Sequence, residues 1–555
     1  MYKCQKIAGV VKNSPLSKNS VEVIIGLDKK SSTPRVGIRG VRVKKSFSVM
    51  IEQNEYWWGG AVIDGGKMPL SQESEYTLDN RINGTYNQVN GLFTSTHGRY
   101  VYVDGEFYLQ VKEGVLFFTE VEGEWDVAEG FGTLRGAYKA AFEKHCSRRR
   151  DIPAELLLKP QYCTWMECLK DSSQEKVIAY AQGILDAGLP AGVLILDDGW
   201  SYDYGDWRFD KSRFPNPKQM MDDLHKLGFT VMIWICPFVN ETSKDFIKLK
   251  EQNAMVREAD GRVAIREWWN GFSGVLDLTN PTVQAYFKGV LDDILALGAD
   301  GFKFDAGDAF YYCYDDVTYA PTTPNGQSIL WAELAAEYAY SELRACVALG
   351  GEAVIQRLCD KRSDWSEREG IGSLIPNMLQ AGMSGYIYCC ADMIGGGQGN
   401  PNNRIDYQKE EEFLSRSCEC AALLPCMQFS YALWREGTTP ATREAVKRYA
   451  NLRVEMSEYF TKTLKQCEAA GEPIVQPLEY AFPNQGFAKI NNVFMLGEKY
   501  LVAPVVKKGV RTVTLTLPKG SQWRYVPDGT TYAGGEEVTV AADVAVLPYF
   551  EKIKS

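Results

Sequence analysis

Histidine is almost missing from these 555 residues: only His97, His145 and His225 occur. None stands beside a nucleophile or within a cluster of metal-ligand residues. That argues against a Ser-His-Asp hydrolase and against a His-ligated metalloenzyme. Chemistry must fall mainly to carboxylates. A basic footprint is missing too. With a formal net charge of −10, no nucleic-acid partner is expected, because phosphate binding needs positive patches. No block of like charges could form an interaction tail. No stretch of about 18 apolar residues exists, so no membrane contact through a spanning helix is expected. The opening Met1-Tyr2-Lys3-Cys4-Gln5-Lys6 lacks the apolar run of a signal peptide. The 14 cysteines have no even spacing; Cys389 and Cys390 are adjacent, and Cys418, Cys420 and Cys426 cluster. Free buried thiols in a cytoplasmic protein are the expectation. Oligomeric state is not legible.

Aromatic residues, by contrast, are abundant, with 13 Trp and 30 Tyr. Most must be core, but their faces also suit the apolar faces of sugar rings. The first 140 residues read as a β-sandwich. Val21 to Ile25, Ser46 to Ile51 and Tyr100 to Val111 are runs with partial alternation, and Asp104-Gly105 and Glu122-Gly123 are turn signals. The pattern then changes. Ser172 and Glu175 can form a capping box for a helix that stops at Gly188, followed by the strand Gly192 to Leu196. Asn216-Pro217 opens a second helix that stops at Gly228, before the strand Thr230 to Cys236. Asn280-Pro281 opens a third that stops at Gly298, before the strand Gly301 to Phe304. Tyr340 to Val347, Ala353 to Leu358, Gly385 to Cys390 and Ala421 to Ser430 are further strand candidates. No dinucleotide fingerprint opens the first unit, so a (β/α)₈ barrel over 141–484 is expected rather than a doubly wound sheet. Residues 485–555 return to β, with Val513 to Leu517 and Val538 to Val540 alternating around the turn Pro527-Asp528-Gly529. The expected fold is thus a TIM barrel of α/β class between an N-terminal β-sandwich and a small C-terminal β-domain.

Side chains at the C-terminal ends of barrel strands face the active site. The carboxylates placed there are Asp197, Asp198, Asp305, Asp308, Asp360, Asp364 and Asp392. Retaining glycoside hydrolysis uses two such groups about 5–5.5 Å apart, one ionised nucleophile and one acid/base of raised pKa. Asp305 is the best nucleophile candidate: it closes an apolar strand, and Lys303 lies on the same face two residues earlier. It could equally cap a following helix. Trp165, Trp200, Trp234 and Trp269 sit near strand ends, where each could wall a sugar pocket or pack in the core. Gly395 to Gly399 lacks the Lys-Ser/Thr and spacing of a phosphate loop, and is expected as a tight active-site turn.

Several motifs carry a more specific signal. They are Gly301-Phe302-Lys303-Phe304-Asp305-Ala306-Gly307-Asp308, Asp360 to Ser366, Gly382 to Gly385, and Asp392 to Gly396. Tyr56 to Gly60, Trp268-Trp269-Asn270-Gly271, Phe494 to Gly497 and Leu501 to Val505 extend them in order over nearly the whole chain. Together they resemble glycoside hydrolase family 31. Leu196-Asp197-Asp198-Gly199-Trp200 and the Trp-Trp-Asn-Gly run look most like the branch with the myogenesis-regulating glycosidase and bacterial α-galactosidases. The resemblance implies that Asp305 is the nucleophile. It places the acid/base five residues before a tryptophan, at Asp360 before Trp365, with Asp364 as the rival. It assigns hydroxyl binding to Arg344 and to Asp197 or Asp198, whose carboxylate can accept two hydroxyl protons. Trp200, Trp269, Lys303, Trp365 and Asp392 complete the expected substrate-binding set. No metal and no cofactor is implied. Three departures stand out: Cys359 where the family commonly has Gly, Asp308 where many members have Glu, and no His in Gln428-Phe429-Ser430-Tyr431. The last weakens an ordinary α-glucosidase reading. A retaining exo-α-glycosidase acting on α-galactosides is therefore expected. α-Glucosides, α-xylosides, α-N-acetylgalactosaminides and sulfoquinovosides are alternatives, and transglycosylation or non-catalytic carbohydrate binding are the competing classes.

Overall fold

The computed structural model describes residues 20–22, 25–26, 37–38, 42–81, 87–146, 151–398 and 410–553. Of the expected strand Val21 to Ile25, Val23 and Ile24 lie outside these residues, as do Cys4 and Gly399. The N-terminal region holds two antiparallel sheets. One runs Ser20–Glu22, Arg42–Met50, Val115–Val121, Tyr108–Lys112, Tyr76–Asp79. The other runs Glu124–Ala128, Tyr100–Asp104, Gln88–Ser95, with Trp57–Ala61 also paired to Gln88–Ser95. The expected single run Tyr100 to Val111 is thus two strands in different sheets, because Gly105 turns the chain at φ +127° against the carbonyl of Glu122. Phe93 of the second sheet meets Phe118 of the first edge-on at 5.3 Å. The helix Leu134–His145 runs past residue 140 and buries Leu134, Tyr138 and Phe142 in this same core.

Eight parallel strands close into a barrel: β1 (Gln161–Cys163), β2 (Val193–Leu196), β3 (Thr230–Ile235), β4 (Gly301–Phe304), β5 (Tyr340–Leu343), β6 (Ile355–Arg357), β7 (Cys389–Ile394) and β8 (Cys426–Phe429). The helices α1 (Gln174–Asp186), α2 (Pro217–Lys226), α3 (Pro281–Ala296), α4 (Pro324–Ala335), α5 (Leu374–Met383) and α6 (Glu411–Ala422) connect them. Asn216 and Asn280 cap α2 and α3 as their sequence predicts. For α1 the cap is Ser173, whose hydroxyl accepts from Lys176 N, so the cap falls one residue later than expected and Ser172 and Glu175 do not form its box. Strand alternation points Phe302 and Phe304 outward, against Tyr338 and Trp331, and aims Lys303 and Asp305 inward.

Three expected strands shift. Ala421 and Ala422 end α6, so β8 starts only after Pro425. The run from Gly385 begins with a turn at φ +90°, delaying β7 to Cys389. Tyr340 to Val347 splits: after Leu343 the chain leaves the barrel, and Cys346–Val347 pairs with Gln88 and Val89 of the N-terminal sheet. Residues 344–354 thus carry no helix from β5 to β6. Gln88 Nε2 instead donates to the carbonyls of Arg344 (2.6 Å) and Arg357, clamping the ends of both strands. In the C-terminal region, Val475–Pro477 already joins the six-stranded sheet before residue 485, and Thr512–Thr516 pairs with Glu537–Ala541.

Candidate active site

The C-terminal ends of the strands open onto a cavity of about 490 Å³. Of the sequence-predicted residues, Trp165, Asp197, Asp198, Trp234, Trp269, Lys303, Asp305, Arg344 and Asp360 line it. Another cavity, of about 380 Å³ in the C-terminal domain, is lined by no carboxylate, thiol or imidazole and so has no carboxylate pair for glycoside chemistry.

Asp305 follows β4 and accepts hydrogen bonds from Trp234 Nε1 at 2.8 Å and Ala306 N at 2.9 Å. Arg344 Nη1 and Arg357 Nη2 each lie 3.9 Å from its Oδ1. Burial alone would push this carboxyl up, but Lys303, Arg344 and Arg357 outweigh it and hold it below the usual range. The ionised oxygens are thus oriented and ready to act as a nucleophile. Ala306 pays for the tight exit from β4 with φ +56°.

Asp360 lies just beyond β6, where Arg357 Nη1 donates to its Oδ1 at 2.6 Å. The same nitrogen donates to Asp392 Oδ1 at 2.7 Å, and Lys361 N donates to the other Asp392 oxygen. Burial would raise Asp360, but Arg357 and Arg344 hold it down, contrary to the raised value expected of an acid/base. Asp392 shows the opposite balance: burial and the nearby Asp360 keep it raised despite Arg357. Asp392 therefore sits beneath the site as a brace on Arg357, behind the cavity wall.

A second arc of hydrogen-bonding groups lies on the β2 side of the cavity. Asp198 accepts from Tyr204 OH at 2.9 Å and from Asn270 Nδ2 at 3.1 Å, and Asn270 in turn accepts from Lys170 Nζ. Burial pushes Asp198 up to about 6, against the pull of Lys170. Asp197 is turned inward to Lys303 Nζ at 2.6 Å, a fully buried ion pair. Trp269 is 42 % exposed at the rim, with the Arg344 guanidinium 4.8 Å over its ring. Gly397 caps the other side: its N–H donates to Lys361 O and its carbonyl accepts from Trp165 Nε1, so the glycine turn packs on the Asp360 loop.

Five predicted residues do not line the cavity: Asp392, the buried Asp308, whose Oδ2 lies 3.5 Å from Arg344 Nε, and Trp200, Trp365 and Asp364. Trp200 is buried against Phe209, with Nε1 donating to Trp234 O, because its strand end turns into the core. Trp365 packs edge-on against Phe413. Asp364 accepts from Ser366 N and lies 3.4 Å from Arg362 Nε, bracing a loop outside the cavity. Sequence reasoning overlooked Lys170, Tyr204, Met393 and above all Arg357. Its signal was a cation at the end of β6, two residues after an inward Ile355. Among the described residues, Glu52–Glu55–His97 and Cys313–Asp315–Asp316 are spaced to share an ion. Both lie outside the cavity, and both already engage arginines, Arg99 and Arg266.

Comparisons with known proteins identify the family of this fold. The family model for the glycosyl hydrolases family 31 TIM-barrel domain matches residues 156–463, and that for the family 31 C-terminal domain matches 471–554. The chain is similar to the mouse (Mus musculus) myogenesis-regulating glycosidase, 34 % identical over 70 % of this chain and 55 % of that one. It is similar to an α-xylosidase of Emericella nidulans, 25 % identical over 68 % of this chain and 50 % of the relative. The chain thus spans about half the length of the curated relatives it matches. In fold it resembles a xylosidase from Aspergillus niger, with TM-score 0.82 and 18 % identity, covering 98 % of this chain and 82 % of that one. With the barrel model alone covering more than half of its residues, and two carboxylates held at the barrel mouth, this chain belongs to glycosyl hydrolase family 31.

Proposed function

We propose that the chain is a retaining, exo-acting α-glycosidase that works by double displacement. The observation that carries this reading is Arg357, which reaches both Asp305 and Asp360 across one cavity at the barrel mouth. In the first step Asp305 attacks the anomeric carbon as Asp360 gives its proton to the departing oxygen. In the second, water attacks the glycosyl–Asp305 ester, returns a proton to Asp360 and releases the sugar with retained configuration. The hydroxyls far from the scissile bond would meet Asp198, Asn270 and Lys170.

An α-galactoside is the proposed substrate. Its support is the likeness of Leu196 to Trp200 and of Trp268 to Gly271 to the galactosidase-containing branch, with no histidine after β8. The named α-xylosidase and sulfoquinovosidase relatives keep α-xylosides and sulfoquinovosides as rivals. A cytoplasmic setting fits the 13 free cysteines of the described residues, most of them buried. None of the described helices is long and apolar enough to cross a membrane. Nitrophenol release from a panel of nitrophenyl α-glycosides tests the reading. Cleavage of the α-galactoside, abolished in Asp305→Asn, is expected. Preference for another sugar would move the substrate, and cleavage of none would favour a binding protein.

A further inference from the structure

Arg357 is 2 % exposed and serves the pair Asp305 and Asp360 with two of its three nitrogens. Nη1 holds Asp360 and Asp392, and Nη2 faces Asp305. Its Nε makes no hydrogen bond; the group it faces is Glu342 Oε1, 3.3 Å away and likewise without a hydrogen bond. Glu342 belongs to β5, is 1 % exposed and lies below the cavity, out of reach of any substrate. Its other oxygen is anchored by Gln428 Nε2 of β8 at 2.7 Å, and the same Gln428 nitrogen donates to Gln161 Oε1 of β1. The charged groups around it are Arg357, Lys303 and Asp197, and the thiols Cys390 and Cys426 also face it. A carboxyl at the centre of a barrel is costly to bury unless a cation faces it. Here that cation is held slightly out of bonding alignment.

A proton donor cannot stay locked in a short charge-assisted bond to a guanidinium, because that bond favours the ionised form. Asp360 must shed part of it before the first step. Resting on the glycosidase reading above, we propose that Glu342 is a positioning residue for the proton donor. It takes up Arg357 Nε when bound sugar loosens Arg357 from Asp360. A small shift of the guanidinium toward the barrel floor closes the Nε–Glu342 contact, while Asp392 keeps Nη1 occupied. Asp360 is then free to hold the proton that it passes to the leaving oxygen.

The test compares two substrates with the full chain: α-galactosyl fluoride, whose leaving group needs little protonation, and methyl α-galactoside, which needs full proton transfer. If the nitrophenyl panel selects another sugar, the same pair of that sugar is used. In Glu342→Gln, kcat/KM for the methyl glycoside is expected to fall about 10²-fold, and that for the fluoride less than about threefold. Glu342→Asp, which keeps the charge but shortens the reach, should shift the ratio the same way by less. If Glu342→Gln does not fold, the ratio for Glu342→Asp decides, an unshifted ratio overturning the proposal. Equal losses on both substrates would show a merely structural residue, and no loss on either would show an idle one; both overturn it. Wild type inert toward both substrates would remove the glycosidase reading, and this inference with it.

Discussion

Asp305 and Asp360 share a cation but play unlike parts, and their substitutions should differ in kind. Asp305→Asn removes the nucleophile and should cut kcat on every substrate at least about 10³-fold. Asp360→Asn should instead spare the first step for activated leaving groups while abolishing it for alkyl glycosides, as a comparison of single-turnover rates will show. Asp364→Asn is expected to leave kcat within about twofold of wild type, since that carboxylate braces a loop outside the cavity. Asp198 gives a pH signature. Its folded value of about 6 lies above its ordinary value of 3.8. Ionising it therefore costs the folded state stability, a cost absent below about pH 4 and complete above about pH 6. At full size it is about 3 kcal/mol. Asp198→Asn should accordingly gain melting temperature relative to wild type as pH rises from 4 to 6; a constant difference across that range would contradict the assignment. Asp305, the proposed nucleophile, could be singled out in sequence because it ends an apolar strand with Lys303 two residues before it. Arg357 was not, since nothing along the chain announces that one guanidinium meets four carboxyls drawn from β4, β5, β6 and β7.

At the scale of elements, the regular part of the barrel could be read directly. Asn-Pro starts and glycine stops bracket α2 and α3, and the strands that follow end in site residues. The β5–β6 connection could not, because its partner, Gln88–Val89, lies more than 250 residues earlier. That pairing has a functional consequence. Gln88 satisfies the backbone carbonyls of Arg344 and Arg357, the two site arginines. Gln88→Leu would leave both buried carbonyls unpaired, costing about 1–3 kcal/mol each at most. Thermal unfolding should show the loss, and kcat should fall with it as the arginines loosen. A stable variant with full activity would mean that the clamp is dispensable.

At the scale of the whole molecule, another buried cation joins segments far apart in the chain. Arg453, fully buried on the helix Pro440–Glu455, donates to the carbonyls of Leu157, Ala422, Leu424 and Pro425, tying the segment before β1 to the one before β8. Arg453→Met should destabilise the fold by at least about 3 kcal/mol, read by denaturant unfolding, without altering KM at low temperature. The N-terminal sheets and the C-terminal sheet flank a barrel whose mouth holds the cavity lined by Asp305, the proposed nucleophile. That aspartate can be tested directly by incubating the chain with a 5-fluoro-α-galactosyl fluoride, or its counterpart in the sugar the panel selects, and locating the adduct by peptide mass spectrometry. One glycosyl group on the peptide bearing Asp305 is the predicted result. An adduct on any other carboxylate, or a turnover product of inverted configuration with no adduct, would contradict the double-displacement mechanism proposed for this site.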